Sequence, residues 1–283
     1  MDIQRLVIAD PSGNKTAIIF DMIATENMRT VSKIIQNEFP DIEQVMFVQE
    51  RKGMFHGEMA GGEFCGNAAR ALGYVLTDGK PEQLTLTMSG LAAPVVVNVR
   101  DAYSEIQTAI TLREEVVSLG NAPVKIVHLE GISHAIIFAN HPLFDFLKEY
   151  AARLDRWNTI VHVLEDLNIS RMSASGLIFV DTSRNDVEIT PYVFVKAVNT
   201  LFAEMACASG SIAVASLIGG EGALTKKCVH LRQPSGETLS VELVKVSEKT
   251  SVKVGGSMRV LYDGPMRNLS EELGSLYNVA DAA

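Results

Sequence analysis

Cys65 and Cys207 lie in two runs of small residues, each placed where a helix should begin. The first run is Gly61-Gly62-Glu63-Phe64-Cys65-Gly66-Asn67-Ala68-Ala69-Arg70-Ala71. The second is Glu204-Met205-Ala206-Cys207-Ala208-Ser209-Gly210-Ser211-Ile212-Ala213-Val214. The cysteines stand 142 positions apart, about half of the 283-residue chain. That spacing suggests two similar lobes, each presenting one thiol. Two opposed thiols can take a proton from one face of a carbon and return one to the other. A thiol at a helix N-terminus meets free backbone amides and the positive end of the helix dipole, and both favour thiolate. The same amides can hold a carboxylate and stabilise the charge that builds on it when an α-proton leaves. Glycines at Gly66 and Gly210 allow close approach of backbone to a ligand. Alone, a cysteine before a small-residue helix is simply a small buried hydrophobe. The repetition at half-chain spacing favours chemistry. Cys228 has no such setting and reads as structural.

The elements around the thiols follow from local pattern. In the first half, Leu6–Ala9 and Ala17–Met22 read as strands. Asn27–Phe39 reads as a helix stopped by Pro40, and Val45–Gln49 as a strand. Gly66–Leu76 is the first thiol-bearing helix. Leu84–Met88, Val95–Val99 and Ile106–Leu112 follow as strands. The second half repeats the order, with strands at Val124–Leu129 and Ala135–Phe138, then helices over Pro142–Leu154 and Thr159–Leu167. Strands at Leu177–Val180 and Val187–Val195 precede the second thiol-bearing helix, Ser209–Leu217, which ends at Gly219-Gly220. Four more strands close the chain, at Val229–Leu231, Leu239–Leu243, Ser251–Val254 and Met258–Leu261. Both thiol helices lack a charged face apart from Arg70, so they are expected inside a curved sheet rather than on a surface. The division expected is residues 1–114 around Cys65 and 115–262 around Cys207, with 263–283 folding back onto the first lobe.

The totals narrow the class. Hydrophobic residues make 47% of the chain and charged residues 21%, as in a globular protein. A net charge of −9 argues against a nucleic-acid or anionic-membrane surface. No apolar run approaches the roughly 20 residues of a membrane span. The start, Met1-Asp2-Ile3-Gln4-Arg5, does not read as a secretory signal. Three cysteines do not make a disulfide framework. The expectation is a cytoplasmic protein with free thiols. No phosphate-loop or metal-ligand spacing is present, so neither metal nor cofactor is expected.

With Cys65-Gly66-Asn67-Ala68-Ala69-Arg70 and Ala206-Cys207-Ala208-Ser209-Gly210-Ser211 in view, the chain resembles the diaminopimelate epimerase superfamily of cofactor-independent two-thiol racemases. The resemblance spans the whole length and includes Ser12-Gly13-Asn14 and Gly131-Ile132-Ser133-His134. It implies an α/β fold of two pseudo-symmetric lobes, each a curved, mostly antiparallel sheet around a central helix, with the site between them. It also implies a homodimer. Within the superfamily the chain is most similar to the histidine racemase branch, which includes suppliers of D-histidine for opine metallophores. The shared strings are Asp10-Pro11-Ser12-Gly13-Asn14, Glu43-Gln44-Val45, Phe55-His56, Gly62-Glu63-Phe64-Cys65-Gly66-Asn67-Ala68 and Gln233-Pro234.

Departures from the epimerases bear on substrate. Their Glu-Arg pair, which grips the distal end of diaminopimelate, is Val198-Asn199 here. An asparagine nine residues before their first thiol is His56. Their Gly-Asn-Pro-His is Gly131-Ile132-Ser133-His134, and Ala208 replaces a usual glycine. The resemblance makes Cys65 and Cys207 the catalytic pair. Asn14, Gly66, Asn67, Ala208, Ser209 and Gly210 then contact the substrate. His134 assists a thiol, and His56 and Glu43 meet the side chain, Glu43 by accepting an imidazole N–H. Each has a plainer reading: Asn14 as a turn residue, Asn67 as a helix cap, His134 as a core histidine, His56 as a strand residue and Glu43 as a solvated charge. Two alternatives to histidine racemisation stand: action on diaminopimelate or another amino acid, and a non-catalytic ligand-binding relative. Two thiols count against the last.

Overall fold

In a computed structural model, residues 3–153, 155–183, 186–218, 227–246 and 248–268 are described. The expected Gly219-Gly220 helix stop and the tail 269–283 lie outside them. The first half runs β1 (Leu6–Asp10), β2 (Thr16–Ile19), α1 (Thr25–Glu38), β3 (Gln44–Arg51), β4 (Met54–Met59), α2 (Gly66–Leu76), β5 (Glu82–Met88), β6 (Val95–Arg100), β7 (Tyr103–Ile110) and β8 (Arg113–Leu119). The second runs β9 (Ala122–Leu129), β10 (Ile132–Phe138), α3 (Phe144–Arg153), α4 (Arg156–Asp166), β11 (Ala174–Asp181), β12 (Val187–Val195), β13 (Thr200–Ala203), α5 (Ala208–Ile218), β14 (Lys227–Arg232), β15 (Thr238–Val246), β16 (Lys249–Ser257) and β17 (Arg259–Gly264).

The two halves repeat each other in pairing as well as order. β2 and β3 run parallel across α1, and β4 and β5 run parallel across α2. In the second half β10 and β11 run parallel across α3 and α4, and β12 and β14 across α5. The remaining pairs are antiparallel. This is the mixed α/β architecture that the sequence leads one to expect.

Helices α2 and α5 lack a charged face apart from Arg70 in α2, and must be enclosed. Every residue of α2 from Gly66 to Gly73 is buried, as is every residue of α5 from Ala208 to Ala215. One apolar core joins Ala68, Ala69 and Leu72 of α2 to Ile212, Ala213 and Val214 of α5, together with inward residues of the surrounding strands. The outer faces are covered separately. Helix α1 buries Met28, Val31 and Ile35, at helical spacing, against Ile8, Ile19 and Phe47. Helices α3 and α4 cover Ile126, Ile137, Phe179 and Tyr192.

The halves are laced together by exchange of their last strands. β7 bonds to β16 over eight residues. β8, where the expected lobe boundary falls, bonds to β9 along its whole length, from Arg113–His128 to Leu119–Ala122. Reciprocally, β17 bonds to β1, pairing Leu6 with Gly264. Only Met258 separates β16 from β17. One stretch of chain thus ties β7 to β1, closing the first-half sheet around α2. Met266, just beyond, packs on the apolar core under α1.

Three strands were not expected from sequence. β4 reads Met-Phe-His-Gly-Glu-Met and lacks β-branched residues. β8 begins Arg-Glu-Glu, and β13 has only four residues. Each exists because a neighbouring strand supplies its hydrogen bonds, which local propensity does not report.

Candidate active site

The starts of α2 and α5 meet. A Cβ placed on Gly66 would lie 3.0 Å from that of Ala208, so glycine here lets the two helices approach. Cys65 and Cys207 each precede their helix and line one cleft between the halves, with Asn67, Ala208 and Ser209. Cys65 is the N-cap of α2, and its Sγ accepts from the Ala68 amide at 3.4 Å. The Cys207 Sγ accepts from the Gly210 amide at 3.3 Å. Both sulfurs therefore take a first-turn amide that a helix would otherwise leave unpaired. The earlier amides, of Gly66 and Asn67 in one helix and Ala208 and Ser209 in the other, are of the kind that holds a carboxylate.

Buried polar side chains fix this geometry. The Asn67 Nδ2 donates to the Ala206 carbonyl at 3.0 Å, bridging the two thiol motifs. Its Oδ1 accepts from Arg70 Nη1 at 3.0 Å. The Gln233 Oε1 accepts from the Cys207 amide at 3.0 Å, and its Nε2 donates to Ser211 Oγ and the Leu231 carbonyl.

His134 reaches Cys207 through one hydroxyl. Its Nε2 is 2.9 Å from Ser209 Oγ, which is 3.6 Å from Cys207 Sγ. Burial lowers the His134 pKa to about 3, so the ring is neutral. The Ser209 hydroxyl can rotate to accept from a thiol or donate to a thiolate. Ser209→Ala breaks this link and leaves His134 Nε2 unpartnered. The expected outcome is a kcat loss of about ten- to a hundredfold, measured as α-hydrogen exchange in D₂O, with a stability loss of ~1–3 kcal/mol.

Three buried glutamates crowd the same region. Glu204 accepts from Gln44 Nε2 at 2.8 Å. Burial raises its pKa to about 7, opposed by hydrogen bonds from the Cys207 thiol and Gln44. Burial also raises Glu63 to about 7, opposed by the Glu63 and Gly61 amides. Glu43 is pushed up to about 9 by burial and by Glu204. It accepts from Asn14 Nδ2 at 2.5 Å and from the Met205 amide at 3.1 Å. Burial and the Glu204 charge in turn raise both thiols. The helix amides favour thiolate, and burial outweighs them.

A second cavity adjoins the thiol cleft, and Gln44, Glu63, Val193, Val195 and Glu204 line both. Glu43 lines the second cavity, with Asn14 behind it. Val198 lines that cavity too, and Asn199 turns the chain with φ of 54°. His56 lines neither cavity. It sits on β4, with Nδ1 2.8 Å from Thr87 Oγ1 and Nε2 3.0 Å from Glu58 Oε2. Glu63, Glu204, Gln44 and Gln233 were not singled out from sequence as site residues. A signal for the two acids was present, since each thiol motif carries a glutamate two or three positions before its cysteine.

A family model described as the histidine racemase CntK N-terminal domain matches residues 5–266. The chain belongs to this family. As a member it is an isomerase of the racemase type. A histidine racemase from Fusobacterium nucleatum (strain ATCC 25586) is 26% identical over 268 residues, covering 90% of this chain and 93% of that one. One from Staphylococcus aureus (strain Mu50) is 23% identical over 261 residues, covering 86% and 91%. The fold matches that of a Bacillus anthracis phenazine biosynthesis protein of the PhzF family, with a TM-score of 0.67 at 14% identity over 93% of this chain and 98% of that one. It also matches a hydroxyproline epimerase from Agrobacterium vitis with bound trans-4-OH-L-proline, at a TM-score of 0.65 and 10% identity over 93% and 90%. Among the described residues no helix is long and apolar enough to cross a membrane.

Proposed function

We propose that this racemase interconverts L- and D-histidine by a two-base mechanism in which Cys65 and Cys207 flank the α-carbon. The observation that carries the reading is the convergence of both thiols, each beside an amide of its own helix, on one cleft. One sulfur takes the α-proton as thiolate while the other, as thiol, delivers a proton to the opposite face. The roles exchange in the reverse direction. The first-turn amides hold the α-carboxylate and stabilise the charge that develops on it. No cofactor is needed in this scheme. We also propose the homodimer that the resemblance implies, and a cytoplasmic site of action, for which the unbridged Cys65 and Cys207 are the support. Sedimentation velocity checks the dimer.

The second cavity supports histidine as substrate. Its walls are apolar at Val193, Val195, Val198 and Phe202 and polar at Glu43 and Gln44. The cavity is only about 20 Å³, so seating a flat ring with an N–H at its edge requires its walls to part. Among its described lining residues there is no Lys, Arg or His to pair with a second carboxylate, which counts against diaminopimelate. A panel of L-amino acids in D₂O, read for deuterium at Cα, tests the proposal. Histidine is expected to exchange and diaminopimelate to exchange poorly or not at all. A clear preference for diaminopimelate overturns the substrate assignment. Burial and Glu204 keep the Glu43 carboxyl protonated near neutral pH, so Glu43→Gln exchanges one neutral hydrogen-bonding group for another and is expected to weaken kcat/KM for histidine by only ~0.5–1.5 kcal/mol without altering thiol alkylation. An unchanged constant removes only the role of Glu43.

A further inference from the structure

The thiol cleft has an electrostatic imbalance. Glu63 and Glu204 both line it together with two thiols, of which one must ionise for proton transfer. Among the described residues lining it there is no Lys, Arg or His. The nearest buried cation, Arg70, is committed elsewhere. Its guanidinium donates to the Ser104 and Ser257 carbonyls, Asn67 Oδ1 and Ser12 Oγ.

Glu63 is the unusual member of the pair. The residue is 7% exposed, and its Oε2 is buried with no hydrogen-bond partner. The Glu63 and Gly61 amides lie beside its carboxyl, yet Oε2 has no hydrogen-bond partner; Glu204 is engaged by Gln44 and Cys207. A buried carboxylate oxygen without a partner is costly unless a ligand completes it. Glu63 lines both cavities, so it stands where the thiol cleft joins the cavity that ends at Glu43. An α-amino acid whose α-carbon lies between the thiols must direct its carboxylate, ammonium and side chain three ways. The helix amides suit the carboxylate and the second cavity the side chain.

We infer that Glu63, with Glu204 beside it, is the seat of the substrate's α-ammonium; the inference rests on the amino-acid racemase reading above. The ammonium supplies the missing cation and donates to Glu63 Oε2. It has a second effect. Burial and the Glu204 charge favour the protonated form of both thiols. A positive charge arriving next to them offsets that repulsion and makes thiolate accessible only when an amino acid is bound. The cleft then selects α-amino acids over α-hydroxy acids of the same shape.

The test measures binding in a Cys65→Ser/Cys207→Ser protein, which cannot turn substrate over, with L-histidine and with L-β-imidazolyl-lactate, the same molecule bearing hydroxyl for ammonium. The protein with Glu63 intact is expected to favour histidine by about tenfold or more. Adding Glu63→Gln should remove about tenfold of histidine affinity while changing imidazolyl-lactate affinity by less than about threefold. A general packing defect would weaken both ligands alike, and that outcome overturns the inference. So does an intact cleft with no preference for histidine, which needs no Glu63 variant to observe. The racemase reading itself fails in a different assay, the absence of α-deuteration of any amino acid by the wild-type protein.

Discussion

Cys65→Ser and Cys207→Ser are each expected to cut racemisation by about 10³-fold or more, measured by chiral chromatography. The reason is intrinsic basicity. A thiol ionises near 8.5 when free, whereas a serine hydroxyl is a far weaker base and cannot deliver thiolate chemistry. Neither change should unfold the protein. Cys65 Sγ caps α2 through the Ala68 amide, and serine is a preferred N-cap. The variants also carry a directional signature. Any residual α-deuteration should be confined to the enantiomer whose proton faces the surviving thiol. A single variant with near wild-type turnover in both directions would falsify the two-base scheme.

The largest stability effect is expected at Arg70. It is fully buried, and burial lowers its pKa to about 10. Its Nε donates to the Ser104 carbonyl on β7 at 2.8 Å, and Nη2 to the Ser257 carbonyl on β16 at 2.9 Å. Nη1 holds Asn67 at the start of α2. Arg70→Leu keeps much of the side-chain volume but leaves buried acceptors unpaired. Hydrogen bonds to charged groups contribute ~1.5–3 kcal/mol each, and breaking a buried charged network costs about 3–5 kcal/mol. The thermal midpoint should fall by roughly 5–8 °C for a protein of this size. Arg70→Lys should also destabilise, because an ammonium cannot reproduce the planar fork. A midpoint within a degree or two of wild type would show that Arg70 is dispensable to the fold.

Much of this architecture was legible in the sequence because its signals are local. The small-residue helices after Cys65 and Cys207 announce burial by their lack of a charged face. The 3–4 spacing of Met28, Val31 and Ile35 gives α1. The strands β4, β8 and β13 were not legible, because their pairing partners are supplied by other parts of the chain. The site divides in the same way. Cysteines beside helix amides can be recognised from short runs. Glu204 meets Gln44 across 160 positions and Gln233 meets Cys207 across 26. Such contacts leave no trace in spacing. His56 carries a motif resemblance, yet its ring is turned to Thr87 and Glu58 on its own side of the sheet.

The exchange of β8 and β17 has a kinetic consequence. β17 completes β1, joining Leu6 to Gly264 across nearly the whole chain. Pairing over such sequence distance makes for slow folding. During synthesis, the sheet around α2 lacks its closing strand until Gly264 has left the ribosome. β1 therefore waits with an unpaired edge, the kind of surface that recruits other chains. The protein is expected to depend on chaperones, or on low temperature, for soluble expression. Cutting the gene after residue 114 should give two insoluble fragments rather than two lobes. The same interlock that joins the two halves leaves the nascent chain exposed until β17 has been made.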